Sequence, residues 1–519
     1  MVLFVSGCSK DYLDIENRNA FTVDSYFTTR DHAMQAIVAS YDALKGNGLY
    51  GLKYPFLSII FGDLAVMEGA TYNEFIFGAE DNEYIKYIYG YVYRGVAKSN
   101  MALEKIPLIE DPMFDDALRE RLLGEARFLR ALYNFIAHIT FYRPPLINEV
   151  LVDINEIFGN STWPEFLEQI EKDLLGYENE SGEYIPGAIE ILPETYDDEN
   201  MGRATKGAAL LLLAKTYMYH EKWDLARQYL QDVIDLGIYE LSQPMGTDSA
   251  DYVNAYLCNF SSVDLSHKGN VYKGEFNKES VFEITYANTD FVRTYYLPGW
   301  MCDGSLYSNY NAVNGWRNVS PEASFAESFE STPGHVAGIQ YDPRRYATVY
   351  SEGDTISLDP ESSYYKPFNP FVHTVVRTGY GIRKYLFPLH EGGPAPFNAP
   401  HNWRLFRYSD VLLMYAEAEY HVNGSTGDAL DAINQVRARA GLNALTEVTP
   451  AAIVNERMWE FGLEGQRYFD LVRWGRIGGE WPKPVDHIEY FVENMTEFFP
   501  IPQIEISRCQ GKLKQNPGW

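Results

Sequence analysis

Cysteine is scarce in this chain and badly spaced for a structural role. Four occur, at positions 8, 258, 302 and 509, and no C-x-x-C or zinc-ligand spacing joins them. That excludes the disulfide framework of a small secreted domain. Cys258 and Cys302 can pair, but buried free thiols are the expected state. Long apolar runs are missing too. "AALLLLA" at 208–214 falls far short of the roughly 20 residues that span a bilayer. Positive charge is in deficit: 43 Lys and Arg stand against 72 Asp and Glu, a formal net charge of −29. Such a field repels phosphate backbones and disfavours polyanionic ligands unless a local basic patch overrides it. No nucleic-acid partner is expected.

Catalytic signatures are absent as well. The sequence holds no H-E-x-x-H, G-x-S-x-G, P-loop or dinucleotide glycine fingerprint, and its ten His show no metal-ligand spacing. The best carboxylate cluster is Glu456, Glu460 and Glu464 in "NERMWEFGLEGQRYFDLVRWG" (455–475), four apart and expected on one helix face. A glycosidase needs carboxylates on two sides of a bond, which neighbours on one face supply poorly. Arg457, Arg467, Asp470 and Arg473 interleave with them, so a structural ion-pair network is expected. The chain reads as no enzyme, with no cofactor and no metal.

What is present is ordinary globular material: 46% apolar and 22% charged residues over 519 positions, enough for two to four domains or one large helical array. The start differs. "VLFV" at 2–5 precedes Ser6, Gly7 and Cys8, an apolar run ending in small residues before a cysteine. This resembles a bacterial lipobox, in which Cys8 becomes the first mature residue and carries acyl chains. No positive segment precedes the run, so part of the signal is expected to be missing. The competing reading is a chance cysteine in a disordered terminus. The polar, acidic "SKDYLDIEN" that follows reads as a tether.

Helical periodicity dominates 29–239. Segments 31–46, 84–106, 115–142, 162–174, 205–220 and 223–237 each read as a helix, with Pro144 and Pro145 halting the third and a Thr cap with a first-turn Pro starting the fourth. The last two form a hairpin in which Ala214, Tyr217, Ala226, Leu230 and Val233 match the small and apolar positions of a tetratricopeptide unit. A second unit fits 411–441 with Tyr420, Ala429, Ile433 and Val436, although Glu417 replaces the small residue. The competing reading is any antiparallel helix hairpin. Between 240 and 403 the periodicity fades, and Gly, Pro, Asn, Ser and Tyr surround short strand-like runs such as "SVFEITYA" (280–287). An irregular stretch of that length is rare unless functional. The expected fold is mainly α: a tetratricopeptide-like helical-repeat scaffold with a large irregular, loop-rich insertion containing short strands. The expected division is 1–8 signal remnant, 9–28 tether, 29–239 N-terminal scaffold, 240–403 ligand-binding insertion and 404–519 C-terminal scaffold.

Four segments in order, "RLFRYSDVLLMYAEAEYHVNG" (404–424), "ALDAINQVRARAGL" (429–442), "ERMWEFGLEGQRYFDLVRWG" (456–475) and "FPIPQIEI…QNPGW" (499–519), together resemble the SusD/RagB family. The resemblance is dense over the C-terminal third, holds by arrangement over the N-terminal helices and is loose between 240 and 400. It implies an outer-membrane, cell-surface lipoprotein on a tetratricopeptide-like scaffold. Such a protein captures oligosaccharides in irregular loops and passes them to a TonB-dependent, SusC-like barrel transporter.

A pyranose presents a face of C–H groups and a rim of hydroxyls, so it needs flat aromatic surface and a few aimed polar groups. Two segments combine these outside helical periodicity. Residues 291–318 hold Tyr295, Tyr296, Trp300, Tyr307, Tyr310 and Trp316 among Asp303, Asn309, Asn311, Asn314 and Arg317. Residues 62–84 hold Tyr72, Phe75 and Phe77 with Asn73, Asp81 and Asn82. The expected glycan-binding residues are Trp300, Trp316, Tyr295, Tyr296, Tyr307, Asn314, Arg317, Tyr72, Asn73 and Phe77. The resemblance implies loops at about these two places, matched by region only. Trp403, Trp459, Trp474 and Trp519 read as scaffold, and Trp163 and Trp223 as core. Two other classes stay open: a helical-repeat adaptor binding only protein, and a binder of a non-sugar nutrient such as peptide. A glycoside hydrolase is the weakest alternative.

Overall fold

The structure, a computed structural model, describes residues 26–67, 82–151, 153, 155–286, 319–331, 334, 341–355, 378–386 and 401–519. Its longer helices are α1 (Arg30–Lys45), α2 (Lys53–Ile60), α3 (Glu83–Lys105), α4 (Asp116–Phe141), α5 (Trp163–Leu175), α6 (Lys206–Tyr219), α7 (Trp223–Asp235), α8 (Ser249–Leu257), α9 (Tyr408–Asn423), α10 (Gly427–Arg439), α11 (Pro450–Phe461) and α12 (Arg467–Ile477). No described helix is long and apolar enough to cross a membrane.

Local chemistry sets where these helices begin. Asn82 accepts from the N–H of Ile85 at 2.9 Å and Asp115 from that of Leu118 at 2.8 Å. At α5 the Glu165 N–H donates to the Thr162 hydroxyl, while the Thr162 N–H donates to the Glu165 carboxylate, a capping box with Pro164 in the first turn. Each arrangement satisfies N–H groups that a helix start would otherwise leave unpaired.

Packing follows the repeat spacing. Helix α6 is buried along nearly its whole length, whereas α7 buries only Ala226, Leu230 and Val233 as one stripe. The α6–α7 hairpin packs on α9, which pairs with α10. Ala214, Tyr217, Glu417, Ala429, Ile433 and Val436 are all buried, and Tyr420 is partly so. The fold is mainly α and tetratricopeptide-like, with only two-stranded sheets among the described residues.

Three features depart from expectation. Segment 455–475 is not one helix. Helix α11 stops at Phe461, and Leu463 (φ +67°) and Gly465 (φ +79°) turn the chain before α12. Helix α8 lies in the stretch that showed no helical periodicity; the Asp248–Asp251 capping box starts it. Helix α2 escapes a periodicity search because all eight of its residues are buried, leaving no polar face. Cys258 is a buried free thiol, its pKa pushed up to about 12 by burial; Cys302 lies outside the described residues.

Candidate functional site

The strands are short and sit where the irregular segments leave the scaffold. They are β1 (Ala65–Met67), β2 (Ser280–Ile284), β3 (Val319–Pro321), β4 (Val349–Ser351), β5 (Tyr380–Ile382) and β6 (Trp403–Arg407). β1 pairs antiparallel with β3, setting Met67 opposite Val319. Segment 68–81 starts after Met67, and segment 287–318 ends before Val319. The two stretches singled out for aromatic and amide content therefore have adjoining ends. The Glu322 N–H donates to the Leu64 carbonyl at 2.8 Å and continues the ladder.

The whole excursion from 287 to 400 is tied at its base in the same way. β2 pairs with β6, Trp403 opposite Ile284. Asn402 bridges the junction: its Oδ1 accepts from the Tyr286 N–H at 2.9 Å and its Nδ2 donates to Glu283 at 2.9 Å. Trp403 is buried and stacked on Tyr385, centroids 4.5 Å apart and planes 10° apart. β4 and β5 pair across segment 356–377, with Arg345 joined to Asp354 at 2.6 Å beside them. The predicted binding residues Tyr72, Asn73, Phe77, Tyr295, Tyr296, Trp300, Tyr307, Asn314, Trp316 and Arg317, and the predicted lipidation site Cys8, lie outside the described residues.

Beneath these bases is a buried ionic cluster. Arg344, Lys384, Arg407, Arg437 and Arg439 face Asp342, Glu279, Glu456, Glu460 and Glu464, all nearly inaccessible to water. Five cations meet five carboxylates, so the cluster is neutral. Burial alone would raise the Glu460 carboxyl, but Arg439, Arg407 and Arg344 outweigh it and hold it well below the usual carboxylate range. Burial lowers Lys384 to about 8, opposed chiefly by Glu464 at 2.8 Å. Glu456, Glu460 and Glu464 thus have the structural role expected of them. Their partners come from other elements rather than from the interleaved residues: Arg457 reaches Asp410 and Asp470, Arg467 reaches Asp63, and Arg473 reaches Glu417 and Asp470. Glu417 also accepts from the Trp474 indole, which explains a carboxylate at a small-residue position of the repeat. Because Asp342, Arg344 and Lys384 belong to the insertion and the three glutamates to the scaffold, the cluster clamps one to the other. Such a network fixes geometry more than it adds stability.

Asp248, Asp251 and His267 bring ligand atoms within 4.8 Å of one another. Asp248, however, already accepts from the N–H groups of Ala250 and Asp251, from His267 and from the Lys268 ammonium. The trio is a capped helix start. Glu275, raised to about 7 by burial, accepts from the Asn402 N–H at 2.9 Å and helps hold the base.

A concave feature lies on the scaffold. A cavity of about 610 Å³ is lined by Tyr142, Arg143, Thr162, Trp163, Arg476, Asn494, Met495, Glu497, Phe498, Asn516 and Pro517. Trp163 was expected in the core; it is half-buried and faces this opening, because the Pro164 turn starts α5 at the surface. Trp223 is also only half-buried, stacked on His421 at 3.9 Å. Trp459 and Trp474 are buried, and Trp519 donates to the Met495 carbonyl at 2.8 Å. The cavity joins residues more than 300 positions apart, so no local pattern signalled it.

Two family models match the chain. One, described as the SusD family, covers residues 278–519; the other, described as starch-binding associating with outer membrane, covers residues 11–218. SusD-like protein P25 of Formosa agariphila is 23% identical over 507 residues, 91% of this chain and 88% of that one. A SusD superfamily protein of Bacteroides vulgatus superposes with a TM-score of 0.73 at 23% identity, over 95% of this chain and 100% of the other. Surface glycan-binding protein A of Bacteroides thetaiotaomicron, solved in complex with laminarihexaose, superposes with a TM-score of 0.69 at 22% identity, over 94% and 100%. The structural likenesses speak to the fold; with the two family matches, which between them take in both the helical N-terminal half and the C-terminal motifs, the chain belongs to the SusD/RagB family.

Proposed function

We propose that this chain is a cell-surface glycan-binding lipoprotein. It captures oligosaccharides on aromatic and amide side chains of segments 68–81 and 287–318 and hands them to a TonB-dependent, SusC-like transporter in the outer membrane. The observation that carries the reading is the Met67–Val319 pairing, which sets the ends of those two segments side by side. The description of the N-terminal family match, starch-binding associating with outer membrane, and a related fold holding laminarihexaose support carbohydrate as the ligand class. Trp300, Trp316, Tyr295, Tyr296, Tyr307 and Tyr72 supply ring surface, Phe77 adds to it, and Asn73, Asn314 and Arg317 address hydroxyls. Binding needs no chemistry at the sugar. Affinity is modest, because ordering side chains and desolvating hydroxyls offset most of the stacking gain.

Calorimetry against a panel of neutral oligosaccharides tests the reading. Binding to one or more is expected, with Trp300→Ala and Trp316→Ala each weakening it by about tenfold or more, on the order of a lost stacking contact. Silence across the panel while a peptide pool binds would overturn it in favour of another nutrient. Metabolic acyl labelling that survives Cys8→Ala would remove Cys8 as the anchor, and failure to co-purify a barrel transporter from native membranes would remove the partner.

A further inference from the structure

The cavity beside Trp163 shares no residue with the strand-paired bases. Its floor is aromatic. Tyr142 and Phe498 stack at 4.6 Å with planes 27° apart, and Trp163 meets Phe498 edge-on at 6.0 Å. Tyr142 holds its place at a conformational cost. It has φ +62° and ψ −76°, and the Arg143 N–H donates to the Phe141 carbonyl at 2.7 Å across it. That is a γ-turn of the strained hand, rare for a residue with a Cβ.

Charge distinguishes the rim. In a chain of net charge −29, the buried Arg407, Arg439, Arg457 and Arg473 of the scaffold each touch a carboxylate. Arg476, which is exposed, touches no carboxylate among the described residues, although Glu221 acts on it at longer range. Its guanidinium lies 3.9 Å from the Trp163 ring centroid and donates Nη2 to the Tyr219 carbonyl at 3.2 Å. Those two contacts fix it, and its other N–H groups have no protein partner among the described residues. Arg143, exposed on the same cavity, has no ion pair there either. On the same lining Glu497 accepts from the Asn494 N–H at 2.7 Å and pairs with no cation among the described residues. Two guanidiniums with no contacting carboxylate among the described residues, a ring surface and a separate acceptor specify a ligand with an anionic group, an apolar face and hydroxyls.

We propose that this cavity is a second saccharide site, selective for a sugar that carries a carboxylate or a sulfate ester. The acid group pairs with Arg143 and Arg476, the ring lies against Tyr142 and Phe498, and a hydroxyl donates to Glu497. The proposal rests on the carbohydrate-binding reading of the chain. It also locates an acidic specificity that the overall charge disfavours.

The test titrates the full chain with laminarihexaose, tetragalacturonate and a sulfated oligogalactan. At least one acidic oligosaccharide binds, and the double variant Arg143→Gln, Arg476→Gln weakens it about tenfold or more, the loss of a charge-assisted contact, while leaving laminarihexaose untouched. The single variant Arg143→Gln, at an exposed side chain, gives part of the effect and guards against a folding defect at Arg476. Preference between tetragalacturonate and the sulfated galactan identifies the acid group. Binding of neutral but not acidic oligosaccharides, or acidic binding indifferent to both variants, overturns this site and leaves the carbohydrate reading standing. Silence toward every saccharide removes both.

Discussion

Arg407 and Glu460 meet at 2.8 Å, Nη1 to Oε1, both shielded from water, one on the strand that closes the insertion and the other on a scaffold helix. Removing one charge from such a cluster strands the others. Glu460→Gln leaves Arg344, Arg407 and Arg439 under-compensated and is expected to lower unfolding stability by about 3–5 kcal/mol. Urea titration followed by tryptophan fluorescence reads this directly. A loss below about 1 kcal/mol would show that water reaches the cluster.

Acid acts on several groups, with opposing signs. Glu460 and Asp410 are held below the carboxylate range by Arg and Lys partners that outweigh burial. Their contribution is complete above the unfolded-chain values near 4 and is lost as pH falls further. His220 is lowered to about 4 by burial, with Arg476 and Lys222 adding to it. The unfolded chain takes up that proton below about 6.5, so stability falls between about 6.5 and 4. Glu275, raised to about 7, gains stability over much of the same range as it protonates. Thermal midpoints measured from pH 7 to pH 4 are expected to fall less steeply in His220→Gln and more steeply in Glu275→Gln.

Gly95 and Gly90 form a matched pair on α3. A Cβ at Gly95 would lie 2.2 Å from the Tyr133 ring, which is buried and donates to the Ser40 carbonyl at 2.6 Å; a Cβ at Gly90 meets nothing within 4 Å. Gly95→Ala is expected to cost about 1–3 kcal/mol, and Gly90→Ala to add about 0.5–1 kcal/mol through reduced chain entropy. Urea midpoints of the two variants should move in opposite directions.

Asn402→Ala removes the bridge between the two ends of the insertion, so that the Tyr286 N–H and Glu283 each lose the hydrogen bond Asn402 supplies. A stability loss of about 1–3 kcal/mol is expected. Oligosaccharide affinity, measured by calorimetry where the variant is still folded, should fall as well if the proposed segments bind, because the base anchors their ends. Unchanged affinity would place the ligand elsewhere.

Helices with one apolar face were legible because their signals are local: the Thr162 cap with Pro164, and the Ala226, Leu230 and Val233 stripe. Helix α2 was not, since burial on all sides erases periodicity. The role of the three glutamates was legible in kind, but their partners were not: Arg344, Arg407 and Arg439 lie 21 to 116 residues away. The adjoining ends of the two aromatic segments depend on a pairing across more than 250 residues, and the cavity beside Trp163 on segments more than 300 residues apart that meet only after folding. Composition suggested which segments to examine; only the strand register relates them in space.

The three-residue ladders have an evolutionary corollary. A segment that departs and returns across hydrogen-bonded neighbours can lengthen, shrink or be replaced wholesale while the gap it closes stays constant, and each doubling of its length costs only about 0.6 kcal/mol of closure entropy. Insertions and deletions between Thr355 and Thr378, whose flanking strands β4 and β5 pair with each other, therefore leave the helical frame undisturbed. Natural selection acquires a cassette format, with new appetites arising by exchange of excursions on an inherited chassis.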